Sequence, residues 1–250
     1  MTGMKTNRIK VAAATIQGPL HINKQLPCQD YCRYSTRSKN FVAVVSDGAG
    51  SAKYSKTGAR IVCDTLIDLL KSIKLSEAQN AVKKAIETAR GKLLRHRLNK
   101  THDSKGIMDF AATVVGVIYY QNQGLFFHIG DGAALAIVDD DYDNFVASPP
   151  ENGAFSCETY FYTQENWIQN LRFTPFAKAD AVFLMSDGLT NFSFSPDYRH
   201  IEKNFILPIH KFLSEENSKA KAERALANTL DNAQARRLNS DDKTLLWARL

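Results

Sequence analysis

The residues most able to do chemistry are aspartates at the ends of predicted β-strands. Asp47, Asp131 and Asp187 each lie two residues after an apolar run and precede a glycine, and Asp241 and Asp242 lead into the last apolar run. A buried strand holds an aspartate at its rigid end, and the glycine lets the backbone turn tightly. Carboxylates gathered this way repel one another unless a cation lies between them. Oxygen ligands without His or Cys select Mg²⁺ or Mn²⁺ over zinc, so the pattern predicts a divalent metal site.

A hairpin turn is the simpler interpretation of any one of these segments, because Asp-Gly is a common turn dipeptide. The repetition favours the metal site. Ser-Asp-Gly occurs twice, at Ser46–Gly48 and Ser186–Gly188, each time after an apolar run, and an Asp-Asp pair precedes the last strand.

The strands that position these aspartates are short runs rich in branched and aromatic residues, bounded by turn formers. Several follow one another across connections too short for a crossover helix, such as Gln121–Gly124 and Gly130–Gly132, which predicts antiparallel pairing. The predicted strands are Val11–Ile16, Tyr31–Ser35, Phe41–Val45, Ala112–Tyr120, Leu125–Ile129, Ala133–Val138, Ala181–Met185 and Thr244–Leu250.

The predicted helices come in two blocks that do not alternate with strands. Ser76 and Gln79 form a capping-box pattern at the start of the first block's second helix. The second block covers Ile201–Leu238 and is predicted to break at Pro208. Grouped strands and paired helices predict an α+β sandwich in which helix pairs cover the sheet faces. The core stripe of the first helix is predicted to be Val62, Leu66, Leu69, Leu70 and Ile73.

Composition places the chain among ordinary soluble globular proteins, with 44% hydrophobic and 23% charged residues. No repeat or Pro/Gly/Ser-rich linker divides it, so a single domain over residues 1–250 is expected. No apolar run reaches the ~18 residues that span a bilayer, and no secretory signal pattern is present, which predicts a cytoplasmic protein without a membrane partner. Cys28, Cys32, Cys63 and Cys157 lack zinc-site or disulfide-framework spacing and are expected to be free thiols.

The net charge of +6 would suit a nucleic-acid partner, but the charge is spread along the chain. The most basic stretch, between Lys83 and Lys100, lies on a helical pattern whose apolar positions point the other way, and no aromatic residues interleave with its charges. A solvated helix face explains it better, so nucleic acid is not the expected partner.

Five segments follow one another along the chain: Ser46–Gly50, Ala111–Thr113, Ile129–Asp131, Leu184–Leu189 and Asp241–Thr244. In this order they resemble the motifs of the metal-dependent serine/threonine protein phosphatases, the type-2C family, in its compact bacterial branch. Gln29-Asp30 takes the place of that family's usual Glu-Asp, and the resemblance extends from Gln29 to Leu250. The resemblance implies a four-layer αββα sandwich of two antiparallel sheets flanked by helix pairs.

The resemblance also implies a centre of two Mn²⁺ or Mg²⁺ ions at one end of the sheets. Asp47 would bridge both ions and Gly48 would give its carbonyl oxygen to one. Asp187 and Asp241 would hold the other ion, and Asp30 would orient the water that attacks phosphorus. By the same resemblance Asp131 would help to hold a third, weaker ion.

Other positions of the resemblance are expected to be structural or depart from the family pattern. Asp242 and Thr113 match structural positions. Ala49 stands where many eukaryotic members carry a histidine proposed as general acid, so the leaving group must take its proton from water or elsewhere. No Arg lies between residues 11 and 31 to hold phosphate, which leaves His21 and Lys24 as nearby basic candidates, with His21 the predicted substrate-binding residue.

Two further segments depart from or extend the pattern. Asn191 stands where the family often has Asp, and Asp139–Phe176 corresponds to the family's variable flap.

The expected function is hydrolysis of phosphoserine and phosphothreonine in proteins by metal-activated water, opposite a Ser/Thr kinase. The alternative is a catalytically weakened phosphatase fold that serves as a binding or regulatory module, with Gln29 and the missing Arg as its signs.

Overall fold

Two antiparallel sheets lie face to face in the computed structural model, which describes residues 9–37, 40–98, 106–151 and 159–250. In chain order the strands are β1 (Lys10–Ile16), β2 (Tyr31–Arg37), β3 (Asn40–Ser46), β4 (Val114–Tyr120), β5 (Gln123–Ile129), β6 (Ala133–Val138), β7 (Asp141–Ser148), β8 (Arg172–Ala177), β9 (Ala179–Met185) and β10 (Lys243–Arg249). One five-stranded sheet has the order β1-β10-β9-β6-β7 and the other the order β2-β3-β4-β5-β8.

Helices flank the sheets and connect them. They are α1 (Pro19–Asn23), α2 (Ser55–Leu70), α3 (Ala78–Leu98), α4 (Thr190–Ser193), α5 (Lys203–Glu215), α6 (Lys219–Leu230) and α7 (Ala233–Leu238). Short 3₁₀ turns lie at Leu75–Glu77, Met108–Phe110 and Asp187–Leu189. Within the described residues no helix is both long and apolar enough to cross a membrane.

The central strands bury apolar residues on both faces, which explains the layering. Ala43 and Val45 of β3 face the interior between the two sheets, where they pack with Leu184 of β9 and Leu246 of β10. The intervening residues, such as Val44, face the other way and pack with the helix pair α2 and α3. Burying both faces of a strand removes the most apolar area from water, which favours central strands that are apolar throughout.

The second helix pair covers the other sheet. Ile206 and Leu213 of α5 and Leu226 of α6 pack with Phe183 of β9 and Trp247 of β10 in one buried cluster. The layers are therefore helices, sheet, sheet and helices, and the predicted four-layer αββα sandwich is confirmed.

Two details of the first helix pair were predicted wrongly. Leu69 is 48% exposed, because the buried face of α2 runs through Cys63 and Ile67 and is rotated away from Leu69. Ser76 does not cap α3, since it lies inside the 3₁₀ turn that leads into the helix and makes no capping hydrogen bond there. An N-cap residue needs an extended backbone, which a residue within such a turn does not have.

The second helix block does not break at Pro208. α5 continues through Pro208, and the chain leaves the helix at Glu216 instead. Proline removes one backbone hydrogen bond, but burial of Ile206, Ile209 and Leu213 on one face outweighs that loss.

The segment Asp139–Phe176, expected to be a variable flap, contains β7 and most of β8. Neither strand was predicted, because β7 has a polar, half-exposed sequence and β8 is interrupted by Pro175 at a sheet edge. Residues 152–158 of this segment, with Cys157, lie outside the described residues. Cys28, Cys32 and Cys63 are free thiols.

Gly58 brings α2 close to the loop that precedes β4. A Cβ atom at residue 58 would collide with the backbone carbonyl of Phe110, and the carbonyl oxygen of Gly58 accepts a 2.9 Å hydrogen bond from the hydroxyl of the buried Tyr162. The glycine therefore allows a backbone-to-backbone approach that no larger residue permits.

We expect Gly58→Ala to lower the free energy of unfolding by about 1–3 kcal/mol, the usual cost of forcing extra volume into a packed interior. Gly91→Ala is the matched control: a Cβ there meets only the end of the Arg95 side chain at 3.8 Å, so alanine should raise stability by about 0.5–1 kcal/mol. Urea unfolding of both variants measures the difference. Equal stability of the two variants would contradict the close approach at Gly58.

Candidate metal centre

Three aspartates from both sheets converge at one end of the sandwich. Asp47 follows β3, Asp131 lies between β5 and β6, and Asp187 follows β9. Each offers a carboxylate oxygen, and these three oxygens all lie within 4.8 Å of one another. The carboxylates are close enough to share a cation.

The three aspartates line a cavity of about 230 Å³. Asp241 joins them in its lining, so the four predicted metal-binding aspartates share one cavity. Its other lining residues come from α1, from the ends of the loops before β2 and β4, from the loop after β3 and from the segment after residue 158; they are Leu20, His21, Gln29, Gly48, Ala49, Gly50, Ser51, Thr113, Thr159 and Phe161.

The Asp47 loop is held by Thr113. The Thr113 hydroxyl accepts a 3.0 Å hydrogen bond from the Asp47 amide, and the Thr113 amide donates to the Asp47 carbonyl at 2.8 Å. Gly48 forms a bridge with Ala112, and a Cβ on Gly48 would lie 2.8 Å from Ser55. The tight turn after β3 therefore needs glycine, and Thr113 fixes the direction of Asp47.

Asp242 organises the loop beside the cavity. Its carboxylate accepts hydrogen bonds from the Gly18 amide at 2.7 Å, the Gln29 amide at 2.6 Å and His21 Nδ1 at 2.8 Å. These bonds tie segment 18–29 to the start of β10. Asp242 is absent from the lining of the cavity, which its neighbour Asp241 lines.

Lys243 is fully buried beneath the same loop and was not singled out from the sequence. Its Nζ donates to the carbonyl oxygens of Asn239 at 2.7 Å and Asp241 at 3.0 Å. Desolvation lowers the pKa of Lys243, while the nearby carboxylate of Asp241 opposes that shift. A lysine directly before the apolar run Thr244–Leu250 is the signal that could have marked it.

Asp30 and Gln29 lie deeper. Asp30 is buried, its Oδ2 accepts a 2.7 Å hydrogen bond from the Ser186 hydroxyl, and its Oδ1 has no hydrogen-bond partner among the described residues. Asp30 is absent from the cavity lining. Gln29 does line the cavity, and its Oε1 is buried without a hydrogen-bond partner in the described part of the chain. Both positions therefore hold an unused acceptor near the acidic cluster.

Asp131 makes a contact that a simple turn residue would not need. The Thr159 hydroxyl donates to its Oδ2 at 2.5 Å, and within the described ranges its Oδ1 has no partner. Thr159 was not predicted, because the sequence of the flap gave no pattern to read. The contact connects the flap to the acidic cluster.

Burial and mutual repulsion raise the pKa values of the clustered carboxyls. Desolvation is the main cause, and repulsion from Asp131 adds to it at Asp187, whose pKa is about 7. Burial likewise raises the pKa of Asp30 to about 6, against hydrogen bonds that lower it. The pKa values of Asp47 and Asp131 are also raised, chiefly by desolvation. Without a cation, the cluster favours protonated carboxyls.

His21, the predicted substrate-binding residue, lies on α1 and lines the cavity although it is only 5% exposed. Lys24, the other basic candidate, is exposed and absent from that lining. Ala49 lines the cavity and contributes no side-chain acid. Asn191 lies away from the cavity, beside a surface groove lined by Phe192 and others.

The chain is similar to known protein phosphatases. The family model described as protein phosphatase 2C matches residues 17–231. Serine/threonine-protein phosphatase 3 of Escherichia coli strain K12 is 27% identical over 251 residues, an alignment that covers 95% of this chain and 98% of that protein.

Solved structures share the fold. A serine/threonine phosphatase from Staphylococcus aureus superimposes with a TM-score of 0.65 at 16% identity and covers 100% of this chain and 99% of its own. A serine/threonine phosphatase from S. agalactiae superimposes with a TM-score of 0.67 at 16% identity and covers 97% of this chain and 99% of its own. Because the family model matches most of its length, the chain belongs to the protein phosphatase 2C family of metal-dependent serine/threonine phosphatases.

Proposed function

We propose that this chain hydrolyses phosphoserine and phosphothreonine in proteins, using two Mn²⁺ or Mg²⁺ ions and a weaker third. The observation that carries the proposal is the convergence of Asp47, Asp131 and Asp187, whose carboxylate oxygens lie within 4.8 Å of one another in a cavity that Asp241 also lines. A phosphate monoester carries negative charge, so this acidic cavity would repel it unless cations were bound there.

The donor set fits hard divalent cations. All the candidate ligands are oxygens, which suit Mg²⁺ and Mn²⁺. Oδ1 of Asp187 and Oδ1 of Asp131 are buried without a hydrogen-bond partner among the described residues, so both oxygens are available to a ligand. Buried carboxylate oxygens of this kind are costly unless something satisfies them.

Each aspartate has a proposed role. Asp47 and the Gly48 carbonyl oxygen, together with Asp187 and Asp241, would hold the two main ions. Asp131 with Asp187 would help to hold the third. Divalent ions at these positions supply water with a lowered pKa and neutralise charge on the phosphoryl oxygens.

The remaining residues position the reactants. Asp30, whose Oδ1 has no hydrogen-bond partner among the described residues, would orient the attacking water. His21 reaches the phosphoryl group from the α1 side of the cavity. The proposed substrate is a phosphorylated protein in the cytoplasm, and a Ser/Thr kinase is the enzyme that must supply it.

A binding or regulatory module is the second candidate, favoured by the neutral Gln29 in the cavity wall and by the lack of an Arg between residues 11 and 31. The retained aspartates favour the enzyme, because burying several carboxylates that serve no cation would only destabilise the fold. Hydrolysis of a phosphothreonine peptide with Mn²⁺, and its abolition by EDTA, separates the two candidates.

Asp47→Asn tests the metal ligands. We expect Mn²⁺ affinity and phosphopeptide turnover to fall together by more than about 100-fold, since even outer-shell changes cost 10- to 100-fold. Calorimetric titration and phosphate release measure the two quantities. Asp143→Asn, an exposed aspartate of β7 paired with Lys203, is the control and should change neither. Unaltered Mn²⁺ affinity in Asp47→Asn would remove Asp47 from the centre.

The raised pKa values predict how pH affects the metal-free protein. The folded pKa of Asp187 is about 7, above the ordinary 3.8, so its contribution to stability is complete below about pH 4 and is lost as pH rises towards 7. We expect the melting temperature of the EDTA-treated protein to fall by about 5 °C or more across this range. Saturating Mn²⁺ or Asp187→Asn should flatten the dependence. An equally steep dependence of melting temperature on pH in Asp187→Asn would show that Asp187 does not cause it.

Gln29→Glu tests the outer shell. A carboxylate at residue 29 adds negative charge to the cavity wall, which should tighten Mn²⁺ binding about tenfold and lower the melting temperature of the metal-free protein. Gln79→Glu, on the exposed side of α3, controls for the charge change alone. If Gln29→Glu and Gln79→Glu bind Mn²⁺ equally, the side chain at residue 29 does not influence the centre.

A further inference from the structure

Hydrolysis of an alkyl phosphate releases a serine or threonine oxygen that must gain a proton. The aspartates of the cavity are assigned to cations, and Ala49 has no acidic side chain. The hydroxyls of Thr113 and Thr159 are already engaged with Asp47 and Asp131 respectively. Among the described lining residues, His21 is the titratable side chain that is not a carboxylate.

The His21 ring is held from behind. Its Nδ1 lies 2.8 Å from Asp242 Oδ2, and both side chains are almost fully buried, at 7% and 1% exposed. The two oxygens of Asp242 also accept hydrogen bonds from the Gly18 and Gln29 amides, which only donate, so both oxygens serve as acceptors and His21 Nδ1 is the donor. Nε2 is therefore the ring nitrogen left for a ligand in the cavity.

The backbone of α1 is fixed as well as the ring. The Leu20 amide donates to the Ser240 carbonyl at 2.9 Å, one residue before Asp241, and the Leu26 amide donates to the His21 carbonyl at 2.9 Å. The backbone around position 21 is thus tied on one side to the segment that carries a proposed metal ligand and on the other to the loop that follows α1. A ring anchored in this way has the fixed geometry that proton transfer requires.

We propose that His21 is the general acid that protonates the leaving oxygen, and that Asp242 is its positioning residue. This inference rests on the proposed phosphatase function and assigns to that site a proton donor from α1. The Asp242 carboxylate balances the positive charge of the protonated ring. A carboxylate bonded to one nitrogen of an imidazole while the other nitrogen transfers a proton is an effective arrangement in general acid–base catalysis.

In the proposed hydrolysis step, a water oxygen forms a bond to phosphorus while the bond from phosphorus to the Ser or Thr Oγ breaks. The electron pair of the broken bond goes to Oγ. The proton on His21 Nε2 passes to Oγ and gives a neutral hydroxyl. The attacking water loses one proton to solvent, and His21 regains one from solvent. The products are the free side chain and inorganic phosphate.

Leaving-group dependence tests the proposal. An alkyl phosphate such as a phosphothreonine peptide needs its leaving oxygen protonated, whereas nitrophenolate leaves as an anion. His21→Gln keeps an N–H near the position of Nε2 but cannot release a proton, and His21→Asn keeps a donor near Nδ1 for Asp242. General acid catalysis contributes about 100-fold or more, so both variants should lose about that much kcat on the phosphopeptide and far less on p-nitrophenyl phosphate.

Controls separate this proposal from the proposed function and from a structural role. Wild-type protein that fails to hydrolyse either substrate with Mn²⁺ refutes the phosphatase function itself. Equal losses on both substrates, or a phosphopeptide kcat retained in His21→Gln, would overturn the proton donor, the second result leaving a phosphate-binding histidine. Calorimetric Mn²⁺ affinity and melting temperature should stay near wild type in His21→Asn, and His200→Gln, an exposed histidine, is the matched control.

Discussion

Repulsion between buried carboxylates is the constraint on which the site end of this structure depends. Asp47, Asp131 and Asp187 come from the ends of strands in two different sheets, and their oxygens lie within 4.8 Å of one another. The sandwich packing forces this meeting, because the apolar faces of β3 and β9 can be buried together only when the strand ends are also brought together. Burial of apolar residues in the fold offsets the electrostatic cost of gathering the carboxylates, and a bound cation would lower that cost.

Hydrogen bonds from neighbouring residues hold the acidic cluster and the loops around it in place. Thr113 fixes the Asp47 turn, Thr159 holds one oxygen of Asp131, and buried Lys243 binds the carbonyl of Asp241. Asp242 collects donors from segment 18–29 and keeps that segment against the last strand. Groups preorganised in this way lose little freedom when a ligand binds, which is how rigid sites gain affinity and rate.

The sequence predicted those features that repeat with a regular period or stand in an ordered set. The layers followed from grouped strands, paired helices and the family resemblance, and the antiparallel pairing followed from the short connections. The shared position of the four aspartates followed from three Asp-Gly segments after apolar runs and from Asp241 before the last run. What it missed depended on tertiary context: the exposure of Leu69, the helix passing through Pro208, and the partners of Lys243 and Thr159. These outcomes depend on how the elements pack, and the contact of Thr159 with Asp131 joins residues 28 positions apart, so no local pattern announces them.

The last strand lies in the interior of its sheet, between β1 and β9. Since β1 pairs with β10, the first and last strands of the chain must meet before that sheet closes, and Asp242 must arrive before segment 18–29 has its carboxylate partner. The wall of the cavity that segment 18–29 contributes is therefore completed only after β10 has paired with β1, and contacts of such long sequence separation form slowly.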